Sequence, residues 1–585
     1  MVPIIYITFV PWFIPIVVAR QPYLLSASPN THGAPVSNPL SSSFAGFGIE
    51  STNLFAFTGA ESPNNFSIQL FQNLANYAGA PPHIRLGGNT QDYMLYDKNH
   101  DGWYWKWNEN SKAQGAYAAD SVIYGPRFFE ALERLPARTP VTFGLNLAYS
   151  GNDYREQIVK AAKAARDGMR KVRLYSFEIG NEVDLYLQNE MRRPPWDGNV
   201  YKNHFLDRAQ AVYDKVLKPA GLPSTFFEAP ATASTMGNSF EIAKLVKYGL
   251  LKPWNGLKFV TAWNQHDYFY FISVTPGPLS LDRVMNLDGT NSQFAYWKTQ
   301  VDVGLNTGLP YVLREMSSVG PIGEKGVSDT FGAALWTLNF FLYAATLDIS
   351  SVQMHMTDNS FAAAWQPTER EGTVPYIRPQ YYAHAAMAQI IGNGNGTTQI
   401  GVLDTYEVDR AYKGRIRAYA AYSRGDLQAY ILINTKPANA SQPNRGSYHF
   451  ELEWPEWALG QQVYHSYLSA PGADSTDGVT FNGIAFSNEN GKPSEVDARE
   501  HTTQIDRNAI STIALRDSEA VILRLGKKLG VDPVVPTTDF TPAPKKKKKG
   551  GAWSRTSEAW KGMWAAVFTT TLVIAAYATD LIAPR

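Results

Sequence analysis

Residues 172–182 read VRLYSFEIGNE, and the stretch just before them, 155–169, reads REQIVKAAKAARDGM. The first is a run of branched and aromatic residues broken at Gly180, the composition of a short strand that ends in a turn. The second repeats apolar residues at helical spacing, with Ile158, Ala162, Ala165 and Met169 on one face. A helix that delivers the chain into a strand, whose far end carries Asn181 and Glu182, is one unit of an alternating α/β fold. The same grammar extends in both directions. Strands are expected at 44–49 (FAGFGI), 83–87 (HIRLG), 140–146 (PVTFGLN), 225–229 (TFFEA), 258–264 (KFVTAWN), 310–315 (PYVLRE) and 350–355 (SSVQMH). Helices fall between them, best marked at 66–78 and 331–345, and Pro126 opens RFFEALERL in the first-turn position that proline favours. Eight strands alternating with helices predict a parallel (β/α)8 TIM barrel over residues 40–392, because parallel neighbours need helical crossovers. The competing reading is an open, doubly wound sheet, but no Gly-x-Gly-x-x-Gly turn follows 44–49 to favour it.

From residue 393 the pattern becomes short alternating runs with turn residues between them, among them RIRAYAAYS, LQAYILINT, SYHFELEW, QVYHSYLS and EAVILRLG. Strands at this spacing without helices predict an antiparallel β-sandwich over 393–528, and residues 21–43 are placed to add a strand to it. No distinct linker occurs within 386–415, so the sandwich is expected to pack on the barrel rather than hang from it as a separate binding module. Composition narrows the function. The net charge is +1, which leaves no basic excess for phosphate contacts, so nucleic acid is not an expected partner. Hydrophobic residues make up 44% and charged residues 18%, which excludes disorder of the whole chain. The absence of cysteine excludes disulfides, thiolate nucleophiles and Cys-ligated metal sites together.

The ends carry an address. Residues 1–19 are apolar and signal-like, with Ala19 as the small residue before a cut; a retained signal-anchor and a buried segment are the alternatives. Residues 530–561 form a Pro/Thr-rich and Lys-rich linker that includes Lys545 to Lys549, and 562–579 is an uncharged apolar run near the shortest length for a membrane span. Gly550, Gly551 and Ala552 ahead of a spacer suit a lipid-anchor signal. A permanent helix would leave the lysines outside, against the positive-inside tendency, and an amphipathic tail lying on the protein is the third possibility. Sequons at Asn65, Asn395 and Asn439 permit a secretory route. The expected location is the secretory pathway, with the product extracellular or at the cell surface and membrane-anchored through its tail.

In such a barrel the chemistry sits where the strands end. Arg85-Leu-Gly-Gly-Asn89 closes the second strand, Glu178-Ile-Gly-Asn181-Glu182 the fourth, Asn264-Gln-His266-Asp267-Tyr268 the sixth and Arg314-Glu315 the seventh, while His355 lies on the eighth. A lone strand-end glutamate is more often a structural ion pair. Glu182 and Glu315 differ, since strands four and seven face each other across the mouth and their carboxylates can flank one bond as proton donor and nucleophile. No nucleophile-elbow sequence is present, and His266, Asp267 and His355 lack a diagnostic metal-ligand spacing, so neither metal nor cofactor is expected. Because a strand alternates its faces, Arg314 need not be the partner of Glu315. Trp103, Tyr104, Trp105 and Trp107 in the long loop 88–125, and Trp365 after the eighth strand, either wall a sugar ring or staple their loops to the barrel. His266 reads equally as a site residue and as a satisfied structural histidine, and Asn89 as a network member rather than a direct ligand.

Taken in order over roughly residues 40–525, Phe47-Gly48-Ile49-Glu50, Arg85-Leu86-Gly87-Gly88-Asn89-Thr90, Gly180-Asn181-Glu182-Val183-Asp184 and Gln265-His266-Asp267-Tyr268 resemble glycoside hydrolase family 79, which holds β-glucuronidases and heparanase-like endo-enzymes. The resemblance implies a retaining exo-glycosidase that removes terminal β-linked glucuronic acid from glycoconjugates or polysaccharides. It implies Glu182 as acid/base, Glu315 as nucleophile, Asn181 on the sugar 2-hydroxyl and Tyr268 hydrogen-bonded to the nucleophile. His266, Asn89, Trp365 and Trp103 complete the expected substrate-binding set. A uronate also needs donors for its carboxylate, for which Lys325 and Arg370 are candidates by charge alone. The other readings are an endo-acting or neutral-sugar relative and a catalytically idle surface carbohydrate-binding protein. An idle lectin is free to lose either glutamate, and this chain has both.

Overall fold

The computed structural model describes residues 21–114, 118–233 and 237–536. The signal-like segment, the linker beyond residue 536 and the apolar run 562–579 lie outside the described residues. Among the described residues no helix is long and apolar enough to cross a membrane.

Eight strands close a barrel: β1 (Ala45–Glu50), β2 (Ile84–Gly87), β3 (Pro140–Leu145), β4 (Arg173–Ile179), β5 (Phe227–Thr232), β6 (Val260–Phe271), β7 (Tyr311–Gly320) and β8 (Ser351–Met356). Each pairs in parallel with the next, and β8 returns to β1 through Val352 opposite Ala45. A helix follows every strand, from Asn65–Ala78 to Pro379–Asn393, so the expected (β/α)8 architecture is present. β6 and β7 run several residues longer than their sequence runs suggest. They continue as a paired ribbon above the rim, with Tyr268 opposite Ser317 and Phe271 opposite Gly320.

The barrel interior is polar, in two layers. In the lower one Arg314 is forked onto Glu228, at 2.8 Å from Nε and 2.6 Å from Nη2, and donates to Gln353 Oε1 at 2.9 Å. Glu228 also accepts from Ser176 at 2.8 Å. The upper layer holds Arg85 with Glu178 and Glu315. Glycine makes room for these large side chains: a Cβ on Gly87 would stand 2.4 Å from Arg85 Nε. Strict alternation fails in β7. Leu313 pairs with Gln265 and Glu315 with His266, so Arg314 is the extra residue of a β-bulge, and Arg314 and Glu315 both face inward. Arg314 is indeed not the partner of Glu315, but it sits one layer below rather than on the opposite face.

The sandwich has a large sheet, centred on Ile416–Ser423, Asp426–Asn434, Glu519–Leu525 and Gln462–Ser469, and a small one. Tyr23–Ser26 enters the small sheet parallel to Ser447–Glu453, which pairs antiparallel with Ile510–Arg516. Alternate residues of the large sheet go two ways. Ile416, Ala418, Leu432 and Leu523 meet Phe450 and Leu452 of the small sheet. Tyr419, Ile431, Ile433 and Ile522 join the barrel core, and the Tyr419 hydroxyl donates to Asn339 Oδ1 on helix Phe331–Thr346 at 2.7 Å. Each buried aliphatic contributes about 1.5–3 kcal/mol, so parting the two domains would cost a large share of the ~5–15 kcal/mol that holds a domain folded.

After Glu519–Leu525 the chain turns back across the barrel. Arg524 pairs with Asp532, Asn482 Nδ2 donates to Leu529 O at 2.7 Å, and Val535 N donates to Asn395 Oδ1 at 2.8 Å. Val534 covers Gly79, the left-handed cap of helix Asn65–Ala78. Helices of this fold run antiparallel to the strands, so this strap lies at the foot of the barrel, opposite the strand ends.

Candidate active site

The end of β4 builds the first half of the site. Gly180 takes φ 83°, which a side chain would resist, and Glu182 follows with φ 47° and ψ 51°. A non-glycine residue in the left-handed region carries strain that its surroundings must hold, and here Glu182 N donates to Ala231 O at 2.6 Å. Its carboxylate is thereby turned into the mouth, with the side chain 12% exposed. The bulge in β7 delivers the second half, Glu315, whose side chain is 9% exposed. One carboxylate oxygen of each, and a ring nitrogen of His266, lie within 4.8 Å of one another.

Arg85, fully buried on β2, organises the floor. Its guanidinium donates to Glu315 Oε2 at 2.6 Å, to both oxygens of Glu178 and to Asn181 Oδ1 at 2.7 Å. Asn181 Nδ2 donates to Asn89 Oδ1 at 2.9 Å, which links the Arg85 floor to the loop after β2. Tyr268 donates its hydroxyl to Glu315 Oε1 at 2.7 Å. His266 Nδ1 stands 3.5 Å from Glu182 Oε1 and 4.0 Å from Glu315 Oε2, and His355 Nδ1 is 3.7 Å from Glu315 Oε2. Neither nitrogen of His266 makes a well-aligned hydrogen bond, so it couples to the glutamates through charge rather than as a satisfied core histidine.

The two carboxyls are driven apart. Burial raises the pKa of Glu182, and the negative charge of Glu315 raises it further against the pull of His266. Burial also acts upward on Glu315, but the fields of His355, His266 and Arg85 and the bond from Tyr268 outweigh it and hold this carboxyl well below the usual range. Glu178 is likewise held down, at about 2, where Arg85 and His266 overcome its burial. His266 is pushed up to about 9, because its glutamate neighbours overcome burial and the repulsion of Arg85. Glu50, at the end of β1, rises to about 7 through burial and the charge of Glu315, although Thr90 donates to it from its backbone and hydroxyl. One carboxyl with its pKa raised beside one held low is the electrostatic arrangement that proton donation and nucleophilic attack by paired carboxyls require. Glu182, His266 and Glu315 are also the atoms that converge in metal-ligand fashion among the described residues, but the Arg85 guanidinium already supplies positive charge to Glu315.

Two expected sugar-binding aromatics are corrected. Trp365 is fully buried among Phe47, Phe57, Phe71 and Tyr381, and its Nε1 donates to Ser67 Oγ at 2.9 Å, so it is a core residue of the barrel wall. Trp103 is engaged by the guanidinium groups of Arg127 and Arg134, 5.2 and 4.7 Å from its ring centre, and staples its loop to helix Pro126–Leu132. Trp105 is the loop tryptophan tied to the rim, donating to Thr52 O just past β1. Arg370 is committed to an ion pair with Asp358, and Lys325 stands exposed in the loop after β7. Sequence reasoning assigned no role to Arg85, Glu178 or His355, although each lay in a strand-end motif it had marked.

A parallel eight-stranded barrel with a packed β-sandwich, and two glutamates of opposite electrostatic character at its mouth, defines a glycoside hydrolase. Residues 418–522 match the model of the glycosyl hydrolase family 79 C-terminal beta domain. A β-glucuronidase of Aspergillus niger is 28% identical over 532 residues, spanning 86% of this chain and 93% of its own, and one of Neurospora crassa is 26% identical over 525 residues, spanning 80% and 89%. Among solved structures, a 4-O-α-L-rhamnosyl-β-D-glucuronidase from Fusarium oxysporum superposes with a TM-score of 0.69 at 20% identity, covering 86% of this chain and all of its own. A GH51 arabinofuranosidase from Xanthomonas axonopodis pv. citri follows with a TM-score of 0.55 at 13% identity, covering 86% and 99%. The chain is thus similar to glycoside hydrolase family 79 in its C-terminal domain and to β-glucuronidases over most of its length.

Proposed function

We propose that the protein is a retaining exo-β-glucuronidase. The observation that carries the reading is the approach of Glu182 and Glu315, with oxygens within 4.8 Å, together with the opposite displacement of their pKa values. Double displacement needs carboxyls about 5–5.5 Å apart, whereas inversion needs about 6.5–9.5 Å to admit a water between them. Glu315, ionised and steadied by Tyr268 and Arg85, attacks the anomeric carbon while Glu182 delivers its proton to the departing oxygen. Glu182, now a carboxylate, takes a proton from water, which attacks the same carbon and releases Glu315. The glucuronide specificity is supported by the β-glucuronidases to which the chain is similar. Action at a chain end is the part of this reading that rests on the resemblance to exo-acting members of the family.

The test is turnover of a chromogenic β-glucuronide beside the matching β-glucoside and β-xyloside, repeated with Glu315→Gln. Glucuronide turnover lost in the variant supports the reading; turnover of the neutral glycosides alone removes the glucuronide assignment and leaves the mechanism. The location is proposed from residues 1–19, the apolar tail and the sequons, of which Asn65 and Asn439 are exposed. An amino terminus at Arg20 in the secreted product, and release of the full chain from membranes only by detergent or lipase, are the expected results.

A further inference from the structure

Between β2 and its following helix lies a carboxylate that the mechanism above does not use. Asp92, on the short helix Asn89–Tyr93, is 0% exposed and bears no direct ion pair among the described residues. Its Oδ1 accepts from Leu147 N at 2.9 Å and Ala148 N at 3.3 Å, just past β3. Its Oδ2 accepts from Asn181 N at 2.8 Å and from the Tyr186 hydroxyl at 2.6 Å. One side chain thus ties the ends of three neighbouring strands at the residue before Glu182. Tyr186 extends the brace: its ring stacks on Trp196 with centres 5.5 Å apart, and Trp196 Nε1 donates to Val183 O at 2.7 Å, one residue after Glu182. The turn at Gly180 is fitted against the same group, since a Cβ there would lie 2.7 Å from the Tyr186 hydroxyl. The left-handed backbone of Glu182 is therefore clamped on both sides by a ring that starts and ends at Asp92. A buried carboxylate is costly to maintain, and here its four donors offset that cost while fixing the backbone on both sides of the Glu182 turn.

We propose that Asp92 is a positioning residue for the acid/base glutamate, holding Glu182 at the angle from which its proton reaches the leaving-group oxygen. The proposal rests on the reading of Glu182 given above. General-acid help matters for a poor leaving group and little for one that departs unaided, so loss of positioning has a signature that general destabilisation lacks. Asp92→Asn keeps the shape but cannot accept all four bonds. In it, kcat/KM for phenyl β-glucuronide is expected to fall at least about tenfold, a part of the ~10²–10⁴ that general acids supply. For 2,4-dinitrophenyl β-glucuronide the fall should stay within about twofold, inside the same range of argument. Tyr186→Phe, which removes one donor and leaves the carboxylate, should show the same order with smaller amplitude, and covers the case in which Asp92→Asn does not fold. Equal losses on both substrates, or none on either, overturn the proposal. Glu182→Gln in the same assay keeps the two readings apart: if it fails to discriminate between leaving groups, the acid/base assignment falls and the proposal with it.

Discussion

The two polar layers inside the barrel use the same chemistry to opposite ends. In the lower layer one arginine meets one glutamate: Arg314 and Glu228 are forked together, and Ser176, Thr142 and Gln353 complete the remaining bonds. In the upper layer one arginine serves two glutamates, and two more, Glu182 and Glu50, stand nearby with raised pKa values. The lower layer is charge-balanced and sealed. The upper is over-supplied with carboxyl groups in a confined space, and that imbalance pushes the pKa of Glu182 up while Glu315 is held down. The same residue types make a strut when their count balances and a reactive centre when it does not.

Replacing either layer should separate these roles. The largest effect is expected from Glu315→Gln, a loss of kcat on the order of 10⁴-fold or more, as for nucleophiles that act as part of a unit, measured by steady-state turnover of the aryl glucuronide. Glu228→Ala should do the reverse: it strands the Arg314 charge and costs about 3–5 kcal/mol in denaturant unfolding, while kcat per folded molecule is kept. A comparable loss of kcat in that variant would collapse the distinction between the layers.

A finer test uses pH. Because the charge of Glu315 raises the Glu182 pKa, Glu315→Gln should move the Glu182 titration downward in a carboxyl-labelled NMR experiment. The stability sign follows. A carboxyl whose folded pKa lies above its unfolded one contributes stability that is complete below the unfolded value and lost as pH rises through the folded value. Glu182→Gln, neutral at every pH, should therefore gain in Tm over the parent as pH rises. The smallest effect is expected from Trp365→Phe. It loses one buried hydrogen bond to Ser67, about 1 kcal/mol, with KM unchanged, whereas a rise in KM would return Trp365 to the sugar site.

Much of this arrangement was legible in the sequence. All eight barrel strands announced themselves because each is a short branched or aromatic run set between helical ones, and strand ends directed attention to Glu182 and Glu315. The bulge at Arg314 was not legible, because an extra residue in a buried strand leaves the hydrophobic pattern almost intact. Nor was the fate of Trp365 and Trp103, since an indole that faces a sugar and one that faces Phe71 or Arg134 have the same letters around them. Asp92 was hidden for a related reason. Its four donors come from β3, β4 and the loop beyond, and no local spacing records a bond across 55 to 94 residues.

The strap at the foot has a bearing on how the protein meets large substrates. Val535 is fastened beside Gly79 and Asn395, so the strap up to Pro536 runs over the pole opposite the mouth. The catalytic rim is left clear of it, and a bulky polymer meets the opening without having to displace this last described stretch of chain.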